Sequence, residues 1–449
     1  MSGGLWTRRE LPWRSPWLVV QTLAREFGQN GLVWLDGSGS PLAGVGRLGV
    51  APKQQVVCRG LPGEEGATDP FADMAAMAEE GGHWMGWLAY EAGAWVEHAR
   101  HWTTPAMATL WAARHDPVLA IDAGAQELWL EGSDSAAINA MASLIEALPE
   151  PPTADDSEEG IQPSRPLGLP LDHWHWHTNP AAFAKQVQRI REWIACGDLF
   201  QANLTACVEQ PLPEGIDLLG LYGQLRRHCP APFAGLAIAG DAAQGEAVLS
   251  ASPERFLQVD ANGWVETRPI KGTRPRHSDA EADAEAAADL ITSPKDRAEN
   301  VMIVDLLRND LGRVCAPGSV SVPQLVGLES YAQVHHLTSV VRGQLREGIG
   351  IAELLRACWP GGSISGAPKV RACQRLGELE PMPRGPYCGS LFRLAPDGSF
   401  DSSILIRSAF VAGGTVRAHA GCGIVADSEP ALEAEELGWK LQPLLEALT

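Results

Sequence analysis

The residue with most chemistry to offer is Lys271, in Arg268-Pro269-Ile270-Lys271-Gly272-Thr273-Arg274-Pro275-Arg276. A β-branched residue before it and a Gly-Thr pair after it predict a strand running into a tight turn. Gly272 lets the backbone come close to a ligand. Three arginines nearby predict a like-charge setting that disfavours the ammonium form, and partial burial acts the same way. An amine held so is a nucleophile near neutral pH. Two acidic groups stand further along. Glu433, Glu436 and Lys440 recur at i, i+3 and i+7 and share one helix face. Two carboxylates without an intervening base make a candidate Mg²⁺ site, since Mg²⁺ takes oxygen ligands and keeps waters. Glu299 shares its helix face with Ile303, Leu306 and Asp310, where a carboxylate is costly unless paired or metal-bound.

Glycine-rich segments supply backbone donors. Pro360-Gly361-Gly362-Ser363-Ile364-Ser365-Gly366-Ala367-Pro368-Lys369 fails as a phosphate-binding P-loop because Ala367-Pro368 separates the last glycine from the lysine. It reads instead as a turn whose N–H groups can hold an anion, with Pro368 opening the next helix. Ala420-Gly421-Cys422-Gly423 reads as a second such turn after a strand over 415–418. His173, His175 and His177 would share one face of a strand, a pattern open to metal binding but without a matching acid or thiol cluster.

These groups need positioning elements. A strand over 247–256 is expected to end in a turn presenting Glu254. Asn179-Pro180 predicts a helix start, with Phe183, Val187, Ile190 and Ile194 at helical spacing and Gly197 closing it. Ser293 to Asp296 predicts the capped start of a helix running to about Asp310. Gly82 to Glu91 predicts a buried strand with glycines at close backbone approaches. Twelve of the sixteen tryptophans fall in the first 176 residues and read as core and contact filling. Proline and acid enrichment over 148–170 marks a linker or long loop. The expected organisation is an N-terminal region over 1–147, a linker over 148–177 and a catalytic domain over 178–449.

The chain has 449 residues and a net charge of -20, which disfavours non-specific nucleic-acid or anionic-membrane binding. An anionic substrate would therefore need cations gathered locally. Nine scattered cysteines without a C-x-x-C pair predict reduced thiols and a cytoplasmic location. No signal-like or membrane-spanning apolar run is evident.

Six motifs in order carry a resemblance. They are Ser252-Pro253-Glu254-Arg255-Phe256, Pro269-Ile270-Lys271-Gly272-Thr273, Asp296-Arg297-Ala298-Glu299-Asn300, Val334-His335-His336-Leu337, the 362–369 glycine segment, and Ala420 to Ser428. Together with Gly86-x-x-x-Tyr90-Glu91 they resemble the chorismate-utilising enzymes. The resemblance implies an α+β fold: two antiparallel sheets face to face, helices outside, and N- and C-terminal parts sharing the core. It implies Mg²⁺ on Glu299 and Glu436 with Glu433 near through water, gripping the ring carboxylate of chorismate. It places Arg407, Lys440, Tyr387 and the N–H groups of Gly421 and Gly423 at the enolpyruvyl end. Thr273, Gly272, Ser363 and His336 would line the ring.

Within the family, anthranilate-forming members carry Pro-Ile-Ala-Gly-Thr where this chain has the lysine, and they have a Leu-Leu-Glu-Ser stretch that it lacks. The implied branch makes 4-amino-4-deoxychorismate, on the route to 4-aminobenzoate and folate. Lys271 would be the nucleophile and Glu254 the general acid, with ammonia from a separate glutamine amidotransferase subunit. The alternatives are an anthranilate-forming enzyme and a catalytically silent chorismate-binding regulator.

Overall fold

The computed structural model describes residues 6–37, 42, 44–97, 101–150, 169–240, 245–331 and 334–449. Most of the linker expected over 148–177 lies outside them. Among the described residues, twelve strands form one sheet and ten form another, and every strand pairing is antiparallel. The apolar runs explain the layering. In the first sheet Phe233–Ile238 pairs with Ala247–Ser252, setting Leu236 opposite Leu249 and Ala237 opposite Val248. Leu236, Leu249 and Val411 face a core built with the helices Pro16–Phe27, Pro180–Ala195, Leu218–His228 and Pro430–Ala447. Ala237, Val248 and Phe410 face the other way, onto Trp87, Leu391, Phe392 and Phe400 of the second sheet. Strands buried on both faces have no solvent side, so they read as near-continuous apolar runs without alternation.

The two ends of the chain are woven together. Val33–Asp36 pairs with Phe233–Ile238 in the first sheet. His83–Leu88 lies between Ser390–Leu394 and Leu110–His115 in the second. The tryptophans fill this core as expected: Trp34, Trp84, Trp87 and Trp111 are fully buried. Trp87 and Trp111 stack across adjacent strands at 4.8 Å, a pairing that adds about 0.5–1.5 kcal/mol beyond burial.

Helix starts follow the sequence. The Asn179 side chain accepts from Ala182 N at 2.9 Å, and Phe183, Val187 and Ile190 are buried. The Ser293 side chain accepts from Asp296 N at 3.3 Å and opens Pro294–Gly312. Three expectations are corrected. The 247–256 strand breaks at Pro253-Glu254 into Ala247–Ser252 of the first sheet and Arg255–Val259 of the second. Proline has no N–H to continue a ladder, so Glu254 sits where the chain crosses between sheets. Ala420 to Gly423 is no turn: Thr415–Ile424 runs through it as one strand, paired with Gln201–Pro211. The strand expected over 82–91 ends at Leu88, and Tyr90–Trp95 is a short 3-10 helix.

Candidate active site

The site forms where the strand Ile270–Pro275 meets the short helix Gly362–Ile364 and the helices Pro294–Gly312 and Pro430–Ala447. The strand pairs with Val334–Gln344, Lys271 opposite Leu337 and Thr273 opposite His336, so Gly272 is an extra, bulged residue. Its φ of 80° is left-handed, and a Cβ there would stand 2.8 Å from Leu290 Cδ1 and 2.9 Å from the Asp296 carboxyl carbon. Only glycine fits both demands. The bulge sets the aim of Lys271, whose Nζ donates to the Ser363 carbonyl at 3.3 Å.

The arginines do not make the like-charge setting expected around Lys271. Arg268 pairs with Glu266 and Glu329, Arg274 with Asp289 and Asp296, and Arg276 with Asp283. What stands around Lys271 is acidic: its charge acts on Glu254, Glu299 and Glu436. Proximity in sequence misled because each arginine is neutralised by a carboxylate of its own, which the local sequence does not show.

Glu254 is buried, and that burial pushes its carboxyl up to about 7 against the opposing pull of the Ser363 hydroxyl, the Lys271 charge and the Ile270 N–H. A carboxyl poised there gives up a proton readily at neutral pH. His336 is also buried, and burial with the Arg407 charge lowers it to about 4, so its imidazole is neutral. Its Nδ1 shares a 2.9 Å hydrogen bond with Thr273 Oγ1.

The acidic end is built from two helices. Burial raises Glu299, helped by the charges of Asp296 and Glu433 and opposed by Lys271 and Lys295. Glu433 is buried, accepts from Ser428 Oγ at 2.7 Å and stands 3.7 Å from Lys295 Nζ. Burial also pushes Glu436 up, but its 2.7 Å ion pair with Lys440 outweighs this and leaves it below the usual carboxylate range. Ligand atoms of Glu433, Glu436 and Cys422 lie within 4.8 Å of one another. Burial holds the Cys422 thiol up at about 12, and it donates to the Glu433 carbonyl, so the oxygen donors are the ones available to a metal. Carboxylates crowded into one corner suit a hard cation such as Mg²⁺.

The strand Thr415–Ile424 brings Gly423 against this corner. A Cβ there would lie 3.7 Å from both Lys271 Nζ and Glu299 Oε2 and 2.6 Å from Gln201 Nε2. The Gly421 carbonyl accepts from Lys440 Nζ at 2.9 Å. Tyr387 is buried, its ring stacked on His419 at 4.8 Å. Arg407, at a left-handed φ of 51°, has no ion-pair partner among the described residues. Lys271, Glu254 and Ser363 thus meet Glu299, Glu433, Glu436, Lys440 and Gly423 at this corner, with the Thr273–His336 pair on the same strands. Tyr387 packs on His419 and Phe410, and Arg407 reaches the group through its charge on His336. His177 instead pairs with Glu209 at 3.2 Å, away from this corner, and His175 lies edge-on to it.

Sequence reading missed Lys295, Gln201 and Arg384. Lys295 was seen only as part of a helix start. A separate cavity of about 450 Å³, lined by Leu35, Asp36, Arg47, Phe233, Arg255 and Asp401 among others, contains none of the reactive residues.

A family model described as chorismate binding enzyme matches residues 49–446. Aminodeoxychorismate synthase component 1 of Salmonella typhimurium is 43% identical over 275 residues, 61% of this chain and 59% of that protein. Anthranilate synthase component 1 of Streptomyces coelicolor is 43% identical over 291 residues, 63% of this chain and 56% of that one. The aligned part therefore spans less than two thirds of these relatives' length. The crystal structure of anthranilate synthase component I from Streptococcus pneumoniae superposes with a TM-score of 0.73 at 26% identity, covering 90% of this chain and 93% of that one. The menaquinone-specific isochorismate synthase of Escherichia coli shares the fold, with a TM-score of 0.72 at 17% identity over 99% of this chain and 94% of that one.

Proposed function

Since the chain belongs to the chorismate binding enzymes, we propose that it is the synthase component of an aminodeoxychorismate synthase, turning chorismate and ammonia into 4-amino-4-deoxychorismate. The observation that carries this reading is the placement of Lys271, its amine on the Ser363 carbonyl and its charge felt by Glu254 and Glu299. An ammonium has no lone pair to attack with, so the nucleophile must be released as the free amine. Transfer of one proton from Lys271 to the Glu254 carboxylate produces the free amine and the carboxylic acid together, with no net proton uptake.

Lys271 Nζ then bonds to ring C2. The ring double bonds shift, and the C4 hydroxyl leaves as water with the Glu254 proton. Ammonia adds at C4, the double bonds shift back and the C2–Nζ bond breaks, which frees the lysine. The enolpyruvyl group stays attached. Arg407, Tyr387 and the Gly421 and Gly423 backbone would hold the enolpyruvyl carboxylate, and neutral His336 with Thr273 and Ser363 would line the ring. Lys440 would take part at that end while balancing Glu436. Glu299 and Glu436, with Glu433, would hold Mg²⁺, which when bound supplies positive charge to the ring carboxylate.

The relatives' designation as component 1 supports a separate partner, here a glutamine amidotransferase delivering ammonia. All nine cysteines are free, which supports a cytoplasmic location. Among the described residues no helix is long and apolar enough to cross a membrane. Relatives named anthranilate synthase, equally identical, favour a second reading in which Lys271 is incidental.

Product identification separates the readings. With chorismate, ammonium and Mg²⁺ the purified chain should form 4-amino-4-deoxychorismate without releasing pyruvate. Fluorescent anthranilate and pyruvate would establish the second reading, and no turnover would indicate a silent chorismate-binding regulator.

A further inference from the structure

We propose that Arg384 is a positioning residue that fixes Ser363, and through it Lys271 and Glu254. Arg384 follows the helix Lys369–Leu379 and is 2% exposed. Its Nη1 donates to the Ile364 carbonyl at 2.9 Å and its Nη2 to the Asn203 carbonyl at 2.7 Å. Nε and Nη2 also donate to Glu380 at 2.8 and 2.7 Å, and Glu380 accepts from Thr205 N at 3.0 Å. The Arg384 main-chain N–H donates to Glu91 at 2.8 Å, and the guanidinium lies over the Tyr90 ring at 4.5 Å. One residue thus joins the strand Gln201–Pro211, the 3-10 helix Tyr90–Trp95 and the short helix Gly362–Ile364.

The consequence lies in two successive carbonyls. Ser363 O accepts from Lys271, and Ile364 O accepts from Arg384. The next residue is pinned as well: Asn203 N donates to Ser365 O at 2.8 Å, and Ser365 Oγ donates to Gly361 O at 2.8 Å. The segment that receives Lys271 is therefore held, one carbonyl further on, by a cation that touches none of the reacting groups. A guanidinium suits this place because its rigid, planar fork reaches acceptors spread over Ile364, Asn203 and Glu380, whereas the three donors of a lysine ammonium radiate from a single nitrogen. Burying the charge is costly unless paired, and Glu380 offsets it.

The inference rests on Lys271 and Glu254 being the reacting pair. Arg384→Lys keeps the charge and loses the fork. It should lower kcat roughly 10–100-fold, as expected when reacting groups shift by a fraction of an ångström. KM for chorismate should move less than about threefold, because no contact to substrate is removed. In Arg384→Ala, added guanidinium ion should restore kcat and methylammonium should not. If the Arg384 variants do not accumulate folded, Glu380→Gln takes their place, loosening the fork and lowering kcat roughly 3–10-fold with KM unmoved.

Parent kcat in folded Arg384→Lys, or in Glu380→Gln where that is the variant obtained, overturns the inference. So does a loss confined to KM or to melting temperature. Lys271→Ala is measured alongside. Parent turnover there defeats the assignment of the reacting pair, whereas an inactive Lys271→Ala beside a fully active Arg384→Lys defeats only the role given to Arg384.

Discussion

Lys271 Nζ and Glu299 Oε2 stand equally far, 3.7 Å, from the point where a side chain on Gly423 would begin. The amine and Glu299 thus share the bare backbone at Gly423 in the strand Thr415–Ile424, which gives them a smooth wall. Gly423→Ala puts a methyl group at that point, 2.6 Å from Gln201 Nε2. The expected result is a roughly 10–100-fold fall in kcat/KM with an unchanged circular-dichroism spectrum. Parent kcat/KM would show that the wall does not border the reacting space.

Removing the amine tests covalent catalysis. Lys271→Ala should lose turnover by roughly 10³-fold or more, the scale seen when a nucleophile is deleted. Chromatographic product analysis with ammonium as donor measures it. Product at the parent rate would sink the lysine adduct.

Glu254 dictates a pH dependence. The cycle starts from the Glu254 carboxylate, which must take the Lys271 proton before it can protonate the leaving hydroxyl, and burial places its carboxyl at about 7. The rate should therefore fall as pH drops through about 7, giving kcat/KM an acidic limb there. Glu254→Gln should remove that limb and cost roughly 10²–10⁴-fold in rate. A limb that persists in Glu254→Gln belongs to another group.

Glu91 makes a stability prediction of definite sign. Burial raises it to about 8, despite the N–H donors of Arg384 and Gly385. Between its ordinary value and about 8 the folded chain holds a proton that the unfolded chain has lost. Stability should therefore be complete below the ordinary carboxyl range and decline as pH rises toward 8. Glu91→Gln keeps an acceptor for Arg384 N and should flatten that decline in melting temperature. A decline of the same steepness in Glu91→Gln would assign it elsewhere.

The acidic corner predicts metal dependence. Glu436→Gln should raise the Mg²⁺ concentration for half-maximal turnover by roughly 10–100-fold, and isothermal titration with Mg²⁺ should show weakened binding by the folded protein. Mg²⁺ binding and dependence equal to the parent's would move the metal site away from Glu436.

Much of this site was legible because its parts are short and local. Gly272 marked a break in regular backbone, although the expected tight turn is a bulge inside the strand Ile270–Pro275, and Glu433, Glu436 and Lys440 announce their shared helix face by spacing alone. Capping at Asn179 and Ser293 was equally plain, since each N-cap is a contact over three residues. What failed was anything decided across the fold. Arg268, Arg274 and Arg276 looked like companions of Lys271 until acids from distant segments claimed them. The glycines at 421 and 423 looked like a turn because nothing nearby shows the strand Gln201–Pro211 that pairs with them. Arg384 gave no signal, because its meaning depends on a carbonyl 181 residues earlier.

The weave of the two sheets governs how this protein comes into being. Val33–Asp36 waits for Phe233–Ile238, and His83–Leu88 waits for Ser390–Leu394. On the ribosome, the second sheet cannot close until more than four fifths of the polypeptide has been synthesised. Such long-range closure is slow, so the first 150 residues spend translation with unmet hydrogen-bonding edges, the state in which a nascent chain most needs a chaperone's cover.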